Sequence, residues 1–151
     1  MAVPRYRIFF DTSVYIAALL SPEGASGALI RLAEAGALRM VVSEKVVTES
    51  DHVLSNRFPS LIQESRKLWK DLAPEIAPEP NLKAVSPFIR RLHPNDAAIL
   101  CCAHWAQVSA FTTWNTRDFM KPGINALVSF PILIPSNTLK LFRSWIEPLL
   151  E

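Results

Sequence analysis

Two cysteines among 151 residues, adjacent at Cys101 and Cys102, leave no material for a stapled scaffold. Neighbours within one helix point about 100° apart, so an ordinary structural disulfide between them does not fit. They read as small buried hydrophobes in a reducing compartment. Histidine is as scarce: His52, His93 and His104 are scattered and no C-x-x-C is present, so zinc-site spacing is missing. Long apolar runs are missing too. Residues 8–20 form the most apolar stretch, but Asp11 interrupts it and it is too short to cross a bilayer. The N-terminus lacks the basic start, apolar run and small-residue cleavage site of a signal peptide, so a cytoplasmic protein is expected. Finally, no charge sign dominates. Against 14 Asp+Glu stand 16 Lys+Arg, a net +2, which neither requires nor excludes a nucleic-acid partner.

What is present is apolar mass. Half of the residues are hydrophobic, with 4 Trp and 8 Phe, which argues against disorder. The length suits one domain over residues 1–151, large enough to bury its own core.

Residues 7–10 form an apolar run ending at Asp11 and read as a central strand. Residues 14–20 read as a helix that ends at Ser21-Pro22-Glu23-Gly24. Ser26 can cap a second helix that stops at Gly36. Residues 38–42 read as a strand, and Ser43 as the cap of a helix carrying Val46, Val47, Ser50, Val53 and Leu54 on one face. A fourth helix places Leu61, Ile62, Leu68, Trp69 and Leu72 on one stripe. Residues 73–87 hold Pro74, Pro78, Pro80 and Pro87 and read as a loop, with a short extended piece near 83–86. Pro94 and Asn95 open a helix over 96–107. Strands follow at 108–113 and 132–134, and Ser136 or Asn137 caps a last helix through Trp145. Strands alternating with helices predict a mainly parallel sheet covered on both faces.

In such a fold, ligands gather outside the carboxyl ends of the strands. Asp11 follows the first strand, Asp118 lies just after the strand at 108–113, and Asp96 stands at a helix start on that rim. Glu49 lies three residues after Val46 and four before Val53, so it borders a buried stripe; Asp96 does the same beside Ile99 and Leu100. A carboxylate in such a place needs a partner. Lys45, four residues before Glu49, is the one basic residue at helical spacing. Two like charges ~4 Å apart repel by about 4 kcal/mol at an effective dielectric near 20. A hard divalent cation such as Mg²⁺ or Mn²⁺ relieves that cost through oxygen ligands.

These pieces together resemble the PIN-domain nucleases, most closely the VapC-like toxin components of type II toxin–antitoxin pairs. The resemblance rests on the apolar run into Asp11-Thr12-Ser13, on residues 42–49 (Val-Ser-Glu-Lys-Val-Val-Thr-Glu), on residues 93–100 (His-Pro-Asn-Asp-Ala-Ala-Ile-Leu) and on residues 112–119 (Thr-Thr-Trp-Asn-Thr-Arg-Asp-Phe). It implies a three-layer α/β/α sandwich and metal-dependent cleavage of RNA with Mg²⁺ or Mn²⁺. Asp11, Asp96 and Asp118 would be metal ligands, Asp118 partly through water, with Glu49 completing the catalytic set. Ser13 and Thr113 would hydrogen-bond the carboxylates and Asn115 would sit at the rim. A protein antitoxin and a homodimer follow as expected partners. The sequence departs from the pattern at Ser13, where Asn is frequent, and at Trp114, where smaller residues are common.

Each residue also has an ordinary reading. Asp11 can be a loop acid, Asp96 a first-turn acid favoured by the helix dipole, Glu49 a solvated helix residue, and Asp118 part of an Asx-type turn in Asn-x-x-Asp. Arg90, Arg91, Arg117 and Lys121 flank the acids and can bind RNA phosphates or be plain surface charge. Trp105, Trp114 and Phe119 read as core in preference to base-stacking platforms. Leu141, Phe142 and Trp145 read as a core face, or as a partner surface. Competing functions are a catalytically silent module that binds RNA or protein, and an aspartyl phosphotransfer domain. The latter needs a second acid beside the first, and Asp11 is followed by Thr12 and Ser13.

Overall fold

The computed structural model describes residues 6–151. In chain order they form β1 (Tyr6–Phe10), α1 (Thr12–Leu20), α2 (Ala25–Glu34), β2 (Leu38–Val42), α3 (Glu44–Arg57), α4 (Ile62–Leu72), β3 (Glu75–Ile76), α5 (Leu82–Ile89), α6 (Pro94–Ala106), β4 (Ala110–Thr112), α7 (Thr116–Phe119), β5 (Ile132–Leu133) and α8 (Pro135–Ile146), with short 3₁₀ turns between some of them. The strands make one sheet in the order β3-β2-β1-β4-β5, and every pair in it is parallel. This is the α/β sandwich expected of alternating strands and helices.

The strand order places the site. From β1 the chain moves outward through β2 and β3, then returns to lay β4 on the other side of β1. The point of reversal lies between β1 and β4, and a crevice opens there beyond the strand ends. Register across this pair is set by Phe9 opposite Phe111 and Phe10 opposite Thr112. The Phe9 and Phe111 rings stack with centroids 5.5 Å apart and both are fully buried, worth ~1 kcal/mol beyond the area they bury. Because strand period is two, a one-residue slip would turn these rings outward. The same register delivers Asp11 and Thr113 side by side, and the Asp11 N–H donates to the Thr112 carbonyl at 3.0 Å.

Behind α1, Tyr15 is buried. Its ring stacks on Trp69 of α4 at 3.9 Å, and its hydroxyl bonds Ser65. Burial pushes that phenol up to about 12. Cys101 and Cys102 are both free and buried on α6, and burial pushes their thiols up to about 11 and about 12. They are packing residues. Among the described residues no single helix is long and apolar enough to cross a membrane.

Several local expectations are corrected. Residues 83–86 are helical, inside α5: Asn81 caps it by accepting from the Ala84 N–H at 2.8 Å, and Val85 and Phe88 turn into the core. Pro87 near its end removes one backbone donor, which packing against α6 outweighs. The extended piece is instead β3, a two-residue edge strand directly after Pro74. Ser26 is not a cap. Gly24 precedes α2, and Ser26 lies buried inside its first turn. Neither Ser136 nor Asn137 caps α8; Ile134 does so by backbone alone, with Pro135 at the first position. Phe119 and Phe142 are core as read, and Leu141 and Trp145 pack partly buried against it. Trp105 and Trp114 are not core, being 66% and 46% exposed.

Candidate active site

Asp11 ends β1 and begins α1, so its backbone is held from both sides; its carbonyl accepts from the Val14 N–H at 3.0 Å. Its side chain is 5% exposed. Two hydroxyls donate to the same oxygen, Oδ2: Thr113 Oγ1 at 2.7 Å and Ser13 Oγ at 2.9 Å. Each hydroxyl is fixed as a donor by an amide behind it. The Asn115 N–H donates to Thr113 Oγ1 at 2.9 Å and the Trp114 N–H to Ser13 Oγ at 3.0 Å. The loop after β4 thus aims two O–H groups at Asp11, an arrangement suited to an ionised carboxylate. Even so, burial raises the Asp11 pKa, against the pull of Thr113, Ser13 and the helix-start amides.

Asp11, Glu49, Asp96 and Asn115 line one cavity of about 490 Å³, together with Thr12, Ser13 and Trp114. Glu49 reaches it from α3 and Asp96 from the first turn of α6. Ser43 fixes the start of α3 by accepting from the Val46 N–H at 3.3 Å, which sets the face Glu49 occupies. Both carboxylates are half-buried. Burial raises Glu49, as do the charges of Asp11 and Asp96; Thr12 and then Lys45 act in the opposite direction. Burial raises Asp96 as well, followed by Asp11 and Asp118, with His93 and Lys121 opposing. A plain first-turn acid would be eased by the helix N-terminus; here confinement and like charge prevail. A second hollow, lined by Lys45, His52 and Asn95 among others, meets the first at Glu49.

Asp118 stands apart from this group. It lies in α7, whose cap is Asn115: the Asn115 Oδ1 accepts from the Asp118 N–H at 3.3 Å, and its Nδ2 donates to Asp118 Oδ2 at 3.1 Å. The Asx-type turn therefore exists. Lys121 Nζ lies 3.6 Å from the other Asp118 oxygen. Asp118 is close enough to raise Asp96 but does not line the cavity. Among the described residues, Asp11, Glu49 and Asp96 form no ion pair.

The flanking cations are exposed. Arg91 lies over Gly123, whose φ of +90° suits glycine; a Cβ there would meet Arg91 Nη1 at 2.6 Å. Arg90, Arg91 and Arg117 make no ion pair among the described residues, whereas Lys121 holds Asp118. Two participants were not singled out from the sequence. The Thr12 hydroxyl is buried and closes no hydrogen bond among the described residues, although it faces Glu49. Ser26 holds the Trp114 ring. The position of Thr12 directly after Asp11 was the available signal for the first.

A PIN-domain family model matches residues 7–117. The chain belongs to the PIN-domain family. The match ends one residue before Asp118. Among solved structures the PIN fold here is similar to PAE2754 from Pyrobaculum aerophilum, at 17% identity over 91% of this chain and 98% of that one, with a TM-score of 0.60. It is also similar to a chain of VapBC2 from Rickettsia felis bound to a DNA fragment from their promoter. There identity is 11%, coverage 84% of this chain and 98% of that one, and the TM-score 0.57. At such identities these structures speak for the fold. No curated protein matches the sequence.

PIN domains are generally nucleases that work with divalent metals, so the fit of such an ion to these residues matters. Among the described residues no three His, Cys, Asp or Glu side chains close to chelating distance. The acids ring the cavity without converging on one point. The donor chemistry nevertheless suits a hard ion: a buried unpaired carboxylate, two half-buried ones and an unpartnered hydroxyl, all oxygen. Mg²⁺ keeps several waters and takes one or two carboxylates, a demand this open cup meets.

Proposed function

We propose that this PIN-domain protein is an endoribonuclease that cleaves RNA with Mg²⁺ or Mn²⁺, and that it acts as the toxin of a toxin–antitoxin pair. One observation carries the reading. Asp11 is 5% exposed, has no cation among the described residues, and shares a cavity with Glu49 and Asp96 at the sheet's reversal point. An anionic cup there has a cost that a divalent ion relieves.

Asp11 and Asp96 would hold the ion directly, and Asp118 would join through water. A divalent ion, when bound, supplies Lewis acidity, acidifying water and offsetting charge on the phosphoryl oxygens. The chain's own groups do the rest. Ser13 and Thr113 hold Asp11 Oδ2 and so orient its other oxygen. Glu49, raised by burial and by its acidic neighbours, can take the proton of an attacking water on its carboxylate. Arg90, Arg91, Arg117 and Lys121, exposed and flanking Asp96 and Asp118 in the sequence, are candidates for neighbouring phosphates. The antitoxin, a homodimer and a cytoplasmic location are carried by the family resemblance.

Single-stranded RNA should be cut in the presence of Mg²⁺ or Mn²⁺, spared with EDTA, and left intact by Asp11→Asn and Asp96→Asn. The competing reading is a PIN-fold module that binds RNA or protein without cutting. The Lys121 contact to Asp118 favours it, because that acid already has a cation. Clean protein with metal that binds a broad RNA panel yet cuts none of it would establish that reading instead.

A further inference from the structure

The acidic cavity has a second, apolar half. Beside Asp11, Glu49 and Asp96 it is lined by Ile16, Ala17, Leu20 and Val53, and by Trp114. Trp114 is 46% exposed, yet it is tied down: its Nε1–H donates to Ser26 Oγ at 2.8 Å, and Ser26 is buried on α2. Its backbone N–H holds Ser13, one of the two hydroxyls on Asp11. A tryptophan that only filled the core would bury its large ring. This one is immobilised and left half open on the wall of the acid site.

Two unlike surfaces meet within one cavity, and a nucleotide carries both of their complements. Its phosphate belongs with cations at the carboxylates, and its base is flat, apolar-faced and ready to stack on an aromatic ring. A base inside a duplex is already stacked and cannot reach such a seat. We propose that Trp114 is the seat for an unpaired nucleobase beside the scissile phosphate, and that it selects single-stranded RNA. This rests on the ribonuclease reading, with Trp114 as a specificity-determining residue and Ser26 as the residue that positions it.

The test is binding of a fluorescent, unstructured phosphorothioate oligoribonucleotide that resists cleavage, with Mn²⁺ present, alone and with one abasic nucleotide walked along it. Trp114→Ala should weaken binding by about 5- to 100-fold, the range for loss of one stacked base. Trp114→Phe, which keeps a ring, should retain most of it. Ser26→Ala should show a smaller loss with an intact thermal transition. At one position the abasic nucleotide should weaken wild-type binding, and that penalty should vanish in Trp114→Ala. Equal affinity of wild type and Trp114→Ala, an abasic penalty identical in both, or no binding by the wild type would overturn the seat. Cleavage with Mn²⁺, run in parallel, separates the two readings. A wild type that cleaves, with KM unchanged in Trp114→Ala, removes the seat and keeps the nuclease. A wild type that binds through Trp114 without cleaving keeps the seat and removes the nuclease.

Discussion

β1 carries a charged residue near each end, and the two ends treat charge in opposite ways. Toward its start, Arg7 donates from Nε and Nη2, one edge of its guanidinium, to the two carboxylate oxygens of Glu75 on β3, and Arg39 of β2 adds a contact at 3.2 Å. The Arg7 side chain bonds hold Glu75 below the usual carboxylate range. At the other end Asp11 has hydroxyl donors but no cation among the described residues, and it faces Glu49 and Asp96, all three raised. The first arrangement is complete within the protein and serves to fix an edge strand of two residues. The second is incomplete within the protein. A carboxylate matched by arginine is structure; carboxylates gathered without a cation mark a place for one from outside.

The sharpest way to break this contrast is a pair of isosteric substitutions. Asp11→Asn should lower RNA cleavage by at least about 100-fold, on the scale of damaged metal sites. Metal-free stability near neutral pH should be unchanged or higher, because a buried unpaired charge is gone. Glu75→Gln should do the reverse, keeping cleavage and costing about 1 kcal/mol, or about 3 °C of Tm at this size. Turnover assays and thermal melts on both variants decide it. Equal losses of stability would erase the distinction between the two ends.

Metal should act at one end only. If Mg²⁺ or Mn²⁺ binds the folded protein, a concentration of about 100 times Kd adds about 2.7 kcal/mol, seen as a rise in Tm. Asp11→Asn should abolish that rise and Glu75→Gln should leave it intact. A rise that survives in Asp11→Asn would place the ion elsewhere.

Acid should separate the ends with opposite signs. For Asp11, Glu49 and Asp96 the folded pKa lies above the unfolded one, so between the two values the folded state binds more protons. Their unfavourable contribution is present above the folded pKa and is relieved as pH falls. For Glu75 the folded pKa is lower, so its stabilising contribution is full above the unfolded value, about 4.3, and is lost as pH falls through the folded one. The Tm difference between wild type and Asp11→Asn should therefore shrink from neutral to mildly acidic pH. That between wild type and Glu75→Gln should persist there and fade only in stronger acid.

The two ends also differ in how readable they were. Asp11, Glu49 and Asp96 follow from local rules: a strand that ends on an acid, helices whose apolar faces include one. Ser43 and the spacing of Val46 and Val53 place Glu49 without any tertiary knowledge. The Glu75 end rests on contacts far apart in sequence, Arg7 and Glu75 being 68 positions apart. Nothing near Pro74 marks a two-residue strand. The prolines around α5 hid a helix whose stability comes from Val85 and Phe88 packing on α6. Ser26 has the composition of a cap, but its partner is an indole 88 residues away. Trp114 read as core in preference to a stacking platform because tryptophan usually is, and only the fold shows it open beside the acids.

Lys121 gives the finest test, because it sits between the two kinds of region. It supplies Asp118 with the cation that Asp11 lacks, through an exposed contact at 3.6 Å. Exposed pairs of this sort contribute about 0.2–1 kcal/mol, so Lys121→Ala should move Tm by no more than about 3 °C. Its other effects should have opposite signs. Removing a positive charge near the cup favours a divalent ion there, so metal affinity should rise several-fold; removing a phosphate contact should raise KM for RNA. Calorimetric titration of Mn²⁺ and steady-state cleavage read the two separately. Tighter metal with weaker RNA would make Asp118 part of the ion's surroundings and Lys121 part of the RNA track. Metal affinity unmoved by the loss of Lys121 would group Asp118 with Glu75, as a carboxylate the protein already satisfies.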